Sequence, residues 1–335
     1  MKKSSFINSS VVFLMFAVLF GVASARAQNR ERYVVSAKAG GVNLVTGDVT
    51  VKTKASTDWR QLMSNEDLVA GDTVRTGSYG RAEVLLNPGS YLRLAENSEF
   101  ELLDPSLDSL RVKVTQGSAF IEVTGDDDTK TLIDVETPQS RMMIDRRGLY
   151  RVNVTTANTT ELLVWKGRAI VTSGSGLATI VKDGKSAIVN GGQVTAAKFD
   201  KNNEDAFDLW SKDRGRALVA ANSQLLQRNI SSSYSSFGSG AGPWGYGGYG
   251  GYGGYGYRYG GLWVFNPFVG YHTFFPFYSG WRSPYGHHYR HGFGFPSFGH
   301  FGGRGFGFGI GRASGGFRGR SLGRVGGSHS GSRRR

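Results

Sequence analysis

The chain has 335 residues and no cysteine, which excludes disulfides, zinc–thiolate sites, thiol nucleophiles and a lipid-anchored cysteine. Its net charge of +14 is unevenly placed. From Arg228 onward there are twelve Arg and no Lys, Asp or Glu; with these and the leader cations Lys2, Lys3 and Arg26 set aside, residues 28–227 carry −1, so attraction for polyanions belongs to the C-terminal part.

Lys2 and Lys3 precede the apolar run Val11–Val22, and overlapping small-x-small sites, Ala23-Ser24-Ala25 and Ala25-Arg26-Ala27, follow it. A basic start, a short apolar core and such an end describe a secretory signal peptide over residues 1–27. The run falls short of the about 20 residues a membrane span needs. Cleavage is predicted between Ala27 and Gln28, with an uncleaved anchor as the alternative. The product is an exported protein, periplasmic, on the outer surface or secreted, with no transmembrane segment after cleavage.

Residues 28–39 read as a loose lead-in. From 40 to 195 short segments alternate apolar and polar residues between Gly, Asn, Asp and Pro turns, as in Arg81–Asn87, Ser90–Leu94, Ala119–Val123, Gly148–Val154 and Glu161–Trp165. Period-two alternation turns one face to a core and the other to water. Many such strands at close spacing predict an all-β domain, an antiparallel sandwich or roll. Asn87-Pro88-Gly89 and Asp183-Gly184 supply hairpin turn chemistry.

Within the stretch 196–230, Asn203 is placed to cap a helix, with Glu204 and Asp205 in its first turn. Phe207, Trp210, Arg214, Ala217, Ala221 and Leu225 then form a mostly apolar stripe, broken by Gly215, and the helix is expected to pack on the β domain.

Composition changes near Ser231. The remaining stretch, 231–335, holds 32 of the 50 Gly and all six His, and 245–261 is a period-three Gly-Tyr array. Gly this dense makes ordering costly in backbone entropy, so a disordered or loosely collapsed tail is expected. The less repetitive block Leu262–Tyr285 is read as local β structure or as a surface-lying segment. Arg304, Arg312, Arg318, Arg320 and Arg324, set among Phe and Gly, are the candidate contacts to anions or surfaces. Guanidinium suits planar, bidentate anion contact and stacking.

The β domain has no His, so Ser-His-Asp hydrolysis and His-ligated metals are excluded there. Glu99 and Glu101 share a strand face, and Glu122 sits similarly with its neighbours; solvated faces account for all three. Asp126–Asp128 reads as a solvated acidic turn rather than a calcium loop. The cluster His287, His288 and His291 lacks a fixed scaffold, and its metal affinity is read as incidental. No phosphate-binding glycine motif stands between a strand and a helix. No catalytic, cofactor or metal site is predicted, and the chain is expected not to be an enzyme.

Several segments resemble the FecR domain: Gly41–Val51, Trp59–Leu62, the run Leu68-x-x-Gly71-Asp72-x-x-x-Thr76-Gly77, Arg81–Leu86, Gly89–Leu94, Val114–Ala119, Thr137-Pro138, Arg147–Arg151 and Val164–Ala169. The resemblance covers roughly 40–195. Gly71-Asp72 and Gly77 are expected at tight turns, Thr76 on a turn backbone, and Trp59, Tyr91 and Tyr150 in the core. The resemblance implies an extracytoplasmic β module for protein interaction; the founding member regulates bacterial iron-citrate uptake through a sigma factor. This chain has no cytoplasmic segment ahead of its apolar run, which departs from that plan.

The expected function is therefore an exported, non-enzymatic scaffold. Its β domain meets a protein or envelope partner. Its tail attaches to an anionic cell-surface polymer or to other copies, and intracellular nucleic acid is excluded by export. The alternative is a periplasmic sensory or regulatory protein resembling the ferric-citrate regulator.

Overall fold

The computed structural model describes residues 34–35, 38–125, 130–155, 159–174, 176–227, 260–277 and 279–290. In chain order the strands are β1 (Val34–Val35), β2 (Val42–Thr46), β3 (Val49–Lys52), β4 (Arg60–Gln61), β5 (Thr73–Thr76), β6 (Arg81–Leu85), β7 (Ser90–Leu94), β8 (Glu99–Asp104), β9 (Arg111–Val123) and β10 (Lys130–Glu136). They continue with β11 (Ser140–Arg146), β12 (Gly148–Val154), β13 (Thr160–Lys166), β14 (Arg168–Ser173), β15 (Ala178–Lys182), β16 (Lys185–Asn190) and β17 (Gln193–Lys198). Helix α1 (Ala206–Gln227) and the pair β18 (Gly261–Asn266) and β19 (Tyr271–Pro276) follow.

Strands β2 to β17 form a sandwich, neither a closed barrel nor a solenoid. The front sheet runs β2-β6-β7-β9-β12-β13-β16-β17, and the back sheet runs β4-β3-β5-β8-β9-β10-β11-β14-β15. They share β9. Its first half, Arg111–Gln116, pairs with β8 and β10 in the back sheet. Its second half, Gly117–Val123, pairs with β7 and β12 in the front sheet. Gly117 sits at the crossing with φ +77°, where a Cβ would fall 2.6 Å from the Asn97 carbonyl oxygen. That backbone region and that contact both call for glycine. The β9–β10 pair is parallel.

The alternation read from the sequence fills the space between the sheets. Val84, Leu92, Ile121, Val152 and Leu162 from the front meet Val51, Val74, Phe100, Val112, Ile133 and Val171 from the back in one buried cluster. Tyr91 and Tyr150 are buried, as expected. Trp59 is not: it is half-buried on the outer back face, with the Arg75 guanidinium 4.1 Å and the Lys52 ammonium 5.3 Å from its ring. Its neighbours there are long cations rather than core side chains, and they cover the indole with their stems. Asn87–Gly89 closes the β6–β7 hairpin. Asp183-Gly184 instead turns a corner, because β15 pairs in the back sheet and β16 in the front.

A third layer covers the front sheet. Helix α1 begins one turn-residue set later than the sequence suggests. Asp205, not Asn203, is its cap, accepting the amides of Phe207 at 2.9 Å and Asp208 at 2.8 Å, while Asp208 accepts the Asp205 amide at 2.8 Å. Only Asp205 stands at the right remove for both bonds. The helix packs on the β domain as expected, through Phe207, Arg214, Leu218, Ala221 and Leu225.

The block Leu262–Tyr285 forms the β18–β19 hairpin, and β1 adds to β18. Of the two readings of this block, local β structure is the one found; the described residues 260–277 and 279–290 depart from the loose tail expected of 231–335 as a whole, and Val34–Val35 from a loose lead-in. Trp263 and Phe274 are fully buried against Leu85, Tyr91 and Leu218, with Trp281 and Tyr289 from the following loop. Large rings closing on an existing apolar face offset the ordering cost that Gly-rich composition alone predicts. Gly215 is explained by the same layer: a Cβ there would lie 2.8 Å from Cδ2 of Tyr285.

Gly117→Ala should destabilise the fold by about 1–3 kcal/mol, as a non-glycine residue forced to positive φ against backbone. Urea unfolding followed by tryptophan fluorescence measures it, and a loss below that range would show that the crossing tolerates a side chain.

Candidate functional site

The front sheet's outer face joins the sandwich to the third layer, and it is where the buried charges gather. On β6 and β7 the residues between the core positions are Glu83, Leu85, Tyr91 and Arg93; on β9 they are Phe120 and Glu122. Strand pairing sets Glu83 opposite Arg93, and Arg93 opposite Phe120. Glu83, Arg93 and Glu122 have no solvent exposure.

Arg93 binds both carboxylates, with Nε 2.8 Å from Glu83 Oε2 and Nη1 2.7 Å from Glu122 Oε2. Arg214 of α1 reaches Glu83 Oε1 at 2.6 Å. Asn43 of β2 donates to the same Glu83 oxygen at 2.8 Å. Ser211 accepts from Arg93 Nη1 at 2.9 Å and from the Tyr285 hydroxyl at 2.8 Å, and Ser283 donates to Glu122. Two carboxylates and two guanidiniums thus close a neutral buried cluster drawn from the front sheet, α1 and the loop after β19.

Burial pushes the Glu83 carboxyl up, but Arg214 and Arg93 outweigh it and hold it at about 2. Burial lowers the Arg93 guanidinium, and Glu122 and Glu83 more than restore it. Both groups stay charged. Such a cluster is a clamp rather than a reactive site, because every charge is already matched.

Asn43 extends the clamp to the hairpin. Its Oδ1 accepts the His272 amide at 2.7 Å, and its Nδ2 donates to the His272 carbonyl at 3.0 Å, so one side chain pairs β19 as a strand would. Burial lowers the His272 imidazole to about 4, although Asp67 acts the other way.

The residues singled out from the sequence are placed as follows. Glu122 is buried in the cluster, which corrects its reading as solvated. The strand period gives the shared face, but the cover on that face comes from residues 206–290. Glu99 and Glu101 do lie together on the outer back face, half-buried, and Glu99 binds Arg75 at 2.6 Å. Gly71, with φ +91°, turns the chain, and Asp72 ties it by accepting the amides of Lys54 at 3.1 Å and Val69 at 3.0 Å. Thr76 donates to the Ala95 carbonyl at 2.6 Å and accepts the Ser98 amide at 2.9 Å. These are the scaffold roles expected of them.

Ala27, Gln28, Asp126–Asp128, His291, Arg304, Arg312, Arg318, Arg320 and Arg324 lie outside the described residues. Glu83, Arg93 and Arg214 were not singled out as a site. The available signal was that Glu83 and Arg93 share their strand face with Leu85 and Tyr91, which a solvated face would not carry.

Two hollows open on the surface. One of about 190 Å³ is lined by Phe120, Trp165 and Tyr285 with Lys212 and Asp208. The other, of about 390 Å³, is lined by Gln139, Ser140, Arg141 and Ser173. Among the described residues no group of His, Asp and Glu is arranged to hold a metal, and no helix is long and apolar enough to cross a membrane.

Residues 72–169 match the family described as FecR protein, a stretch running from the start of β5 to the start of β14. Two solved structures from Parabacteroides distasonis ATCC 8503, each described as a "putative anti-sigma factor", are similar to the chain. One is 18% identical over 38% of this chain and 60% of its own, with a TM-score of 0.33. The other is 17% identical over 42% of this chain and 64% of its own, with a TM-score of 0.35. The chain therefore spans less than two thirds of either. No curated protein matches it.

Arg93→Met leaves two buried carboxylates short of their shared partner, and should cost about 3–5 kcal/mol in urea unfolding; a cost under about 1 kcal/mol would mean the cluster is not a clamp. Acid should weaken the fold in two steps. His272 ionises at about 4 folded against 6.5 for the free group, so its contribution is complete above 6.5 and fades as pH falls to about 4. Glu83, at about 2 against 4.5, contributes fully above 4.5 and loses that contribution on the way down to about 2. Stability measured against pH should show both, and His272→Gln should flatten the upper one only.

Proposed function

Taking a FecR-like region at residues 72–169 as the premise, we propose that the chain is a non-enzymatic regulatory module, exported by its leader, that recognises another protein and alters that protein's activity. The observation that carries this reading is where the FecR match falls: on strands of both sheets and the shared β9, in a body whose buried charged cluster is matched internally. Such a body presents surfaces and edges rather than a reaction chamber, which is what recognition of a protein asks for. By the family resemblance the partner is an envelope protein, and the effect is on gene expression controlled by a sigma factor.

A scaffold reading is favoured by a different observation, the carboxylate-free stretch from Arg228 onward, eight of whose twelve Arg lie in residues 291–335. In that reading residues 291–335 hold the chain to an anionic cell-surface polymer or to other copies, in a salt-dependent way.

One experiment separates the two. Cells lacking the chain are complemented with the full sequence or with a version ending at Arg290, and both transcript levels and envelope retention are measured. Under the regulatory reading a defined set of transcripts shifts on loss and is restored by both versions. Under the scaffold reading no transcripts shift, and the shortened version alone washes from the envelope with salt. A transcriptome indifferent to loss of the chain refutes the regulatory proposal.

A further inference from the structure

The sandwich has four sheet ends, and an open strand edge is a row of unmet backbone donors and acceptors that proteins normally protect. Among the described residues two of the four are dealt with. The β2 edge is closed by the Asn43 bonds to His272 of β19. The β4 edge is two residues long, and Arg60 there is ion-paired to Glu66 at 2.7 Å. The β17 edge, Gln193-Val-Thr-Ala-Ala-Lys198, is open but presents no large exposed apolar side chain.

The fourth, β15, differs. It is five residues long, and Ile180 at its centre is 53% exposed, with Leu177 just before it 75% exposed. The register carries Ile180 across to Ile170 of β14 and on to Met143 of β11, an apolar row on the outer back face. The two arginines beside this row are already matched, Arg141 with Asp134 and Arg168 with Asp145; Lys182, on the same face of β15, is exposed.

We propose that β15 is an interface between two copies of this chain, paired antiparallel about Ile180. Antiparallel pairing of a strand with itself is two-fold symmetric, so the contact closes at a dimer instead of running on into a fibre. In that register Ile180 meets Ile180 of the second copy, and each Lys182 stands opposite Ala178, so no like charges face each other. The row doubles to Met143, Ile170 and Ile180 from each copy, and the two back sheets become one. The matched arginines let the copies approach with little repulsion, and the near-zero charge of residues 28–227 acts the same way. This dimer is independent of the regulatory reading.

The natural absence of cysteine makes the register directly testable in the full chain. Facing residues of an antiparallel pair have Cα atoms about 4.5–5.5 Å apart, within disulfide reach. Under mild oxidation Ile180→Cys should form a disulfide dimer. Leu132→Cys, 40% exposed on β10 of the same sheet and away from the edge, should form no disulfide-linked dimer. In sedimentation equilibrium the unmodified chain should dimerise. Ile180→Lys, which sets two ammonium groups face to face, should weaken the dimer by about tenfold or more. Ile180→Thr, which keeps strand propensity, should weaken it less. Circular dichroism confirms that the variants fold. The proposal is overturned if Ile180→Cys cross-links no faster than Leu132→Cys, or if Ile180→Lys leaves the association unchanged. A dimer insensitive to position 180 would place self-association elsewhere, and a strict monomer would leave the edge to a strand of another protein.

Discussion

Arg93 is the side chain on which the third layer depends. Its guanidinium lies on the front sheet between Glu83 and Glu122, and each carboxylate is then finished by a different element: Glu83 by Arg214 of α1, Glu122 by Ser283 of the loop after β19. Charges removed from water cost several kcal/mol each unless their geometry is complete. Here Glu83 and Glu122 gain their second partners only where the helix and the loop sit as they do, so the cluster favours that placement of the layer. Apolar contact between Leu85, Tyr91, Leu218, Trp263 and Phe274 supplies the adhesion. The ions supply the register, because rings slide over one another at little cost while ion pairs do not.

The second constraint is the single strand common to both sheets. Because β9 serves as a central strand twice, the two halves of the sandwich cannot shift independently, and a change of register on one side is felt on the other. Gly117 is what makes the double use possible. The FecR match encloses this strand and its neighbours and stops short of α1 and the hairpin. The match thus lies within the sandwich, and the third layer lies outside it.

Much of this was readable from residue order. Alternation in Arg81–Leu85, Ser90–Leu94 and Gly148–Val154 marks strands because period two follows from the pleat itself. The turn residues Gly71 and Gly89 declare themselves by needing positive φ. What escaped has a common physical cause. Periodicity says which residues share a face, not whether that face meets water. Glu122 therefore read as solvated until residues far along the chain were seen to cover it. The hairpin was half legible: Leu262–Tyr285 reads as local β structure or a surface-lying segment because its rings are dense, but residue order does not say that those rings close on the front sheet. Strand order escaped because β15 and β16 are joined by a two-residue turn yet belong to opposite sheets, and turn chemistry is the same for a hairpin and a corner.

The join between helix and hairpin has one more implication. Leu225, near the end of α1, already touches Val264 and Phe275, yet 32 residues, 228–259, separate α1's last residue from Gly260. The fold asks almost nothing of that distance. The cost of joining two fixed ends rises only logarithmically with the length of chain between them. The number of residues between α1 and β18 is therefore weakly constrained by the contact of Leu225 with the hairpin.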